Sequence, residues 1–310
     1  MNQTLNFKDN LNKLTPQWVT GIVDSEGNFS ILSQKTNSGV KFTLAVKVTQ
    51  KEHSLGILLS LKEFFKCGNI YIDNRKENAY KFSVNKIDEI LNIIIPHFDN
   101  YPLLSSKRLD YQDFRKVAFL INNKLHMSKQ GQEEILLIKN NMNSSRSFDE
   151  RWNFLKSCEP IQLNNEWVQA FIDGEGSFQF GISNTVNRGK AYTALAPTLE
   201  IAQSNHDILL LNAFIQFFGC GYLKPKYDIS DLQAAKNSRI VNRLIINQSS
   251  TVIDFIEKYP LYTRKQLDYL DWKNLIKLKA DRVYETPEGL QKMKYIKASM
   301  NKGRDNIISE

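Results

Sequence analysis

Cysteine and histidine are scarce in this chain. Among 310 residues there are three cysteines, Cys67, Cys158 and Cys220, and four histidines. The cysteines show no metal-ligand spacing, and an odd number argues against a disulfide framework, so a reducing compartment fits best. No run approaches the roughly 18 uncharged apolar residues of a membrane span, which predicts no membrane partner. Met1 to Lys13 is polar and Asn-rich, without the apolar stretch of a secretory signal or the Arg-rich pattern of a presequence. Acid is in deficit. The net charge is +8 with a pI near 9.2, which favours a polyanionic partner such as DNA or RNA. The abundance of Asn, Lys and Ile hints at AT-rich coding and an organelle genome. Apolar residues nevertheless make up 42% of the chain, enough for a core in two domains of ordinary size.

What is present is a duplicated acidic motif. The first copy runs from Trp18 through Gly21 to Asp24-Ser25-Glu26-Gly27, followed by Asn28-Phe29-Ser30. The second runs from Trp167 through Ala170 to Asp173-Gly174-Glu175-Gly176, followed by Ser177-Phe178-Gln179. Each is an apolar helical run closed by acid-small-acid-Gly and then an alternating strand. Carboxylates at a helix C-terminus add to the negative end of the dipole and call for a cation or proton. Gly21 with Ser25, and Ala170 with Gly174, are four apart on one helix face, and small residues so spaced let two helices pack closely. That packing would bring Glu26 and Glu175 side by side, where divalent cations relieve their repulsion. An all-oxygen ligand set suits Mg²⁺, with Mn²⁺ or Ca²⁺ able to take the same place. Paired metals would activate water for phosphodiester hydrolysis.

The repeat extends beyond the motif. Phe64-Phe65-Lys66-Cys67-Gly68 matches Phe217-Phe218-Gly219-Cys220-Gly221, Gln50 matches Gln203, and Pro102-Leu103 through Lys107 to Tyr111 matches Pro260-Leu261 through Lys265 to Tyr269. Each half reads α-β-β-α-β-β-α, with a further helix possible. Val40, Phe42, Leu44, Val46 and Val48 share one parity and Lys41, Thr43, Ala45, Lys47 and Thr49 the other. That period of two predicts antiparallel strands with one buried and one solvated face. The expected organisation is an N-terminal repeat over 1–142, a partly packed linker over 143–163 with a breaker cluster at its start, a C-terminal repeat over 164–300, and a loose tail over 301–310.

The motif, the order of elements and its duplication resemble the LAGLIDADG homing endonucleases, in the single-chain, two-repeat form typical of fungal organelle introns, from about Thr15 to Arg304. The resemblance implies an α+β fold of two pseudo-symmetric αββαββα repeats. Each would carry a four-stranded antiparallel sheet, forming a DNA-binding saddle, with the motif helices packed at the interface. It implies a monomeric, mitochondrial, metal-dependent endonuclease that cuts double-stranded DNA. The family's metal ligands fall on Glu26 and Glu175, with backbone carbonyls of Ser25 and Gly174. Gln50 and Gln203 fall beside the catalytic water, Lys107 and Lys265 in the catalytic pocket, and Asp24 and Asp173 brace the interface. Both motifs depart from the usual spelling by ending in Glu, which keeps the charge. Thr20 and Gln169 replace the usual Ala.

Polar strand residues would read the DNA. A strand of about nine residues spans roughly one turn of B-DNA, so two sheets would cover an asymmetric site of about 20 base pairs. A two-stranded ribbon fits the major groove. The candidates are Asn28, Ser30, Gln34, Lys41, Thr43 and Lys47 in the first half, and Ser177, Gln179, Ser183, Asn184, Thr198 and Glu200 in the second. Arg75, Lys76, Lys224, Lys226 and Arg239 flank the later strands. The alternative is an intron-RNA-binding splicing cofactor, which would not need the acids.

Overall fold

The structure, a computed structural model, describes residues 14–37, 39–158, 160–187, 189–226 and 240–307. Helix α1 (Pro16–Glu26) opens the fold. Thr15 caps it by accepting from the Trp18 N–H at 3.2 Å, and Pro16 occupies the first turn, where its missing N–H costs nothing. Gly27 ends the helix in extended backbone, and the chain runs straight into β1 (Gly27–Thr36) and β2 (Gly39–Lys51), then α2 (Leu55–Phe65), β3 (Asn69–Asn74) and β4 (Ala79–Val84). Next come α3 (Ile87–Glu89), a π-helical turn over Ile90–Ile94, and α4 (Ile95–Asn100). Pro96 has no N–H for the regular i→i−4 ladder, and the turn before it widens. Three helices follow: α5 (Lys107–Asn122), α6 (Lys129–Asn140) and α7 (Phe148–Ser157).

The same order recurs after α8 (Asn165–Glu175). It comprises β5 (Gly176–Asn187), β6 (Lys190–Ser204), α9 (Ile208–Phe218), β7 (Tyr222–Pro225) and β8 (Val241–Ile246), then α10 (Ser249–Lys258), α11 (Lys265–Ala280), α12 (Pro287–Ala298) and α13 (Lys302–Ile307). The place of Pro96 is taken by Asp254, and α10 is regular. Each sheet has four antiparallel strands, in the orders β1-β2-β4-β3 and β5-β6-β8-β7. Lys66 and Gly219 close α2 and α9 in the left-handed conformation that such a helix end requires.

The chain forms two compact units, one ending at Gly174 and the other beginning at Glu175. All of α8 but its last residue therefore belongs to the first unit, so the packing boundary falls later than the sequence repeat at 164. In the first unit Phe29 sits 5.4 Å, ring to ring, from each of Phe98, Tyr111 and Phe114. In the second, Phe178 packs on Tyr269 and Trp272. The helices cover the strand parity that carries these rings and leave the other parity open.

The loose tail expected over 301–310 is corrected at its start, over 301–304, while 308–310 lie outside the described residues. Asn301 donates its backbone N–H to Asp268 at 2.9 Å and its side-chain amide to the Phe178 carbonyl. Arg304 pairs with Asp268 and Asp271. Asn143 and Arg146 do the same in the first unit, bonding Asp110, the Phe29 carbonyl and Asp113. Both asparagines have positive φ, a conformation Asn tolerates better than most residues. Met142-Asn143-x-x-Arg146 and Met300-Asn301-x-x-Arg304 are thus one more repeated element. Within the expected linker, α7 is packed through buried Arg151 and Leu155.

Candidate metal centre and nucleic-acid interface

The two acids of the first motif have different surroundings. Asp24 is buried and accepts four hydrogen bonds: from the N–H of Leu104 at 2.7 Å and of Ser105 at 3.3 Å, from the Ser105 hydroxyl at 2.6 Å and from Trp167 Nε1 at 3.1 Å. Those donors offset its position at the negative end of α1. Burial still raises its pKa above the ordinary aspartate value, against the downward pull of Ser105, Leu104 and Lys107. Glu26, two residues on, is exposed. Asp173 is buried like Asp24, and Glu175 is half-buried.

The small residues do what their spacing predicts. A methyl group at Gly21 would lie 2.6 Å from the Trp167 carbonyl and 2.9 Å from Ala170 Cβ. One at Gly174 would lie 2.3 Å from Ser25 Oγ and 3.2 Å from Glu26 Cγ. Helices α1 and α8, as far as Gly174, are in backbone contact that no side chain could enter.

Lys107, at the start of α5, reaches the same helix end. Its Nζ donates to the Val23 carbonyl at 2.9 Å and to the Ser25 carbonyl at 3.3 Å, a cation at a helix C-terminus as the dipole favours. Lys265 begins α11 in the same local setting: its N–H donates to Thr263 Oγ1 at 3.2 Å, as that of Lys107 does to Ser105 Oγ. Gln50 and Gln203 also correspond. Gly27 pairs with Val48 and Gly176 with Ile201, so each glutamine lies two residues past the strand position facing the motif glycine. Both have the parity of the helix-covered face. Among the described residues no cluster of three or more His, Cys, Asp or Glu side chains is gathered. The donors at the first helix end are one exposed carboxylate, Glu26, and backbone carbonyls. That all-oxygen set fits a hard cation that keeps several waters.

The open sheet faces carry most of the expected DNA-reading residues. In the first sheet Asn28 opposes Lys47, Ser30 opposes Ala45, and Gln34 opposes Lys41. Thr43 faces Leu32, an exposed apolar residue on this polar surface. Arg75 and Lys76 lie exposed in the turn between β3 and β4. In the second sheet Ser177 opposes Glu200 and Gln179 opposes Thr198, with Ser183 on the same face. Lys224 lies on this face too, and the N–H of Lys226 donates to the Val241 carbonyl at 2.9 Å just beyond β7.

Three expectations change. Asn184 pairs with Thr193 and has the opposite parity to Ser183, so it faces away from the open surface. Glu200 is ion-paired with Arg243 at 3.1 Å. Arg239 lies outside the described residues. Cations on the open faces beyond those candidates include Lys81, which opposes Thr49, and Arg243, which opposes Ala202. The alternation of β4 and β8, with Phe82 and Val84 or Leu244 and Ile246 buried, was the signal that would have found them.

The family model of the LAGLIDADG endonuclease matches residues 19–118 and again 170–276. Among curated proteins, "Probable intron-encoded endonuclease 3" of Neurospora crassa is 28% identical over 88% of this chain, and "Probable intron-encoded endonuclease 2" of the same fungus 27% over 93%. The chain spans only 52% and 65% of those two relatives. Among solved structures, I-LtrWI bound to target DNA is 28% identical with a TM-score of 0.78, covering 95% of this chain and 99% of that one. I-SmaMI bound to its uncleaved DNA target with calcium ions is 26% identical with a TM-score of 0.77, covering 94% of this chain and 100% of that one. With both halves matched in register, the chain belongs to the LAGLIDADG endonuclease family.

Proposed function

We propose that this chain is a divalent-metal-dependent, sequence-specific endonuclease that cuts both strands of DNA at a long asymmetric site, and that it acts as a monomer in a fungal mitochondrion. The observation that carries the reading is the junction repeated at Glu26-Gly27 and Glu175-Gly176. In each copy a helix that ends in a glutamate passes directly into a strand whose open face is polar. Bases laid on such a face lead to the acid at its end. The solved relatives bound to DNA targets add support.

In this reading Glu26 and Glu175 hold the metal, with Mg²⁺ the preferred ion, assisted by the carbonyls of Ser25 and Gly174. The contact of Gly174 with Ser25 and Glu26 supports that grouping. A bound cation would polarise a phosphoryl oxygen and make hydroxide available near neutral pH. Lys107 keeps a positive charge at the helix end, against the Ser25 carbonyl, and Lys265 has the same role in the second copy. Gln50 and Gln203 orient water. The polar strand residues hold the duplex, and asymmetry follows from the faces: Lys41 and Lys47 of β2 are matched on β6 by Ala194 and Glu200. The splicing-cofactor alternative is not favoured, since both motif glutamates are retained.

The test is incubation of the full chain with fragments of uninterrupted fungal mitochondrial DNA in Mg²⁺, with mapping of the ends. One or a few cut sites are expected. Glu26→Gln with Glu175→Gln should keep DNA binding and lower cleavage on the order of a thousandfold, the equivalent of several kcal/mol of charge stabilisation. Undiminished cutting by the double variant would sink the reading.

A further inference from the structure

We infer that Arg243, held by Glu200, reads a guanine in the half-site laid on the second sheet; this deepens the proposed DNA-cleaving function and rests on it. Arg243 stands on β8, an interior strand, on the open face, directly opposite Ala202 and Lys224. Its Nη1 donates to Glu200 Oε2 at 3.1 Å, and its side chain is 30% exposed. Nε is buried with no hydrogen-bond partner. Glu200 thus holds one side of the guanidinium, on a side chain that stays part-exposed on the open sheet face. A guanidinium held in that way matches the O6 and N7 acceptors of guanine in the major groove, the commonest specific contact of arginine with DNA.

Two features favour a base edge over a phosphate. The Glu200 carboxylate beside the guanidinium would repel a phosphate, whereas it tolerates the neutral acceptors of a base. Half-burial on an interior strand also limits the reach of Arg243, while the exposed Lys224 beside it stands ready for backbone contacts. Like charges directly opposite each other across a strand pair are unfavourable. Arg243 is paired with Glu200 and has Lys224 directly opposite, so two cations and one acid leave a net positive spot for an electron-rich ligand. The matching place in the first sheet holds Lys81, pinned by Asp73 at 2.8 Å. A lysine is a point charge there and lacks the fork.

Register gives the position of the guanine. Ala202 follows Ile201, which pairs with Gly176, the residue after Glu175. The guanine should thus lie at the end of this half-site nearest the cut. Glu200 is a positioning residue, acting through Arg243.

The experiment is selection by the full chain from a randomised DNA duplex library in Ca²⁺, followed by binding of the consensus duplex and its single-base variants. The wild-type consensus should contain one guanine at a cut-proximal position of one half. Arg243→Ala should lose about ten- to a hundredfold discrimination at that position alone. Arg243→Gln, of similar size, should shift the preference there to adenine, whose N6 and N7 glutamine matches. Glu200→Gln should relax the same position while sparing the others. If Arg243→Ala and Arg243→Gln keep the wild-type consensus and only bind more weakly everywhere, with a shallower salt dependence, Arg243 is a phosphate contact and the inference is overturned. A wild-type selection that returns no consensus would instead overturn the endonuclease reading.

Discussion

His97 is a buried histidine at the hub of an aromatic cluster, with Phe64, Phe65 and Tyr101 rings 5.2–5.5 Å away. Burial holds its pKa down at about 4, against about 6.5 in an unfolded chain. As pH falls the unfolded chain takes up its proton first. The contribution of His97 to stability is therefore complete above about pH 6.5 and is lost progressively as pH falls towards 4, by up to roughly 3 kcal/mol. The second repeat has Phe255 in this place, packed on Phe217, Phe218 and Tyr259. His97→Phe should flatten the dependence of the urea midpoint on pH between 6.5 and 4. An unchanged slope would assign the acid sensitivity to other groups. The same residue accounts for Thr20, which departs from the family's Ala: its hydroxyl lies 3.3 Å from His97 Nε2 and donates to the Tyr101 carbonyl at 3.0 Å.

At the scale of elements the α1–α8 contact is the most constrained. Gly174→Ala would place its methyl on Ser25 Oγ and Cβ, and Ser25 has little room to yield because its own hydroxyl bonds the Ile22 carbonyl. A loss of about 1–3 kcal/mol is expected, as for an overpacked core, read as a lower denaturation midpoint at constant m-value. No loss would mean that the helices are free to separate. The sequence makes this element legible because Gly21, Ser25, Ala170 and Gly174 recur at helical spacing. The strands were legible too: the parity of Val40 to Val48 fixed the buried face, since a one-residue slip would expose every side chain in it. What escaped was less periodic. Arg243 and Lys81 stand on six-residue strands, where the alternation that marks them is short and easily passed over. The turn at Asn143 and Asn301 rests on positive φ and on carboxylates about thirty positions away in the chain, which local pattern does not carry.

For each unit as a whole, that turn is the lock. Arg304 joins α13 to Asp268 and Asp271, and Arg146 joins the start of α7 to Asp110 and Asp113. Removing one partner from a buried pair leaves the other charge uncompensated, at a cost of about 3 kcal/mol or more. Arg304→Ala should destabilise the second unit by about that much in urea unfolding followed by Trp272 fluorescence. A loss below about 1 kcal/mol would show the C-terminal lock to be ornamental. Its one trace in the chain is the Met-Asn-x-x-Arg pattern shared by 142–146 and 300–304, three matched residues that are too few to stand out.

The Asp24 cage has a consequence for synthesis. One of its four donors, Trp167, is 143 residues further along the chain. At about 5–20 residues per second, a nascent chain that has already made α1 waits on the order of ten seconds before α8 is translated. Through that interval Asp24 lacks its indole partner and Gly21 its facing backbone. The α1–α8 contact cannot form until the second motif has emerged, so the first unit is completed only by the arrival of the other copy.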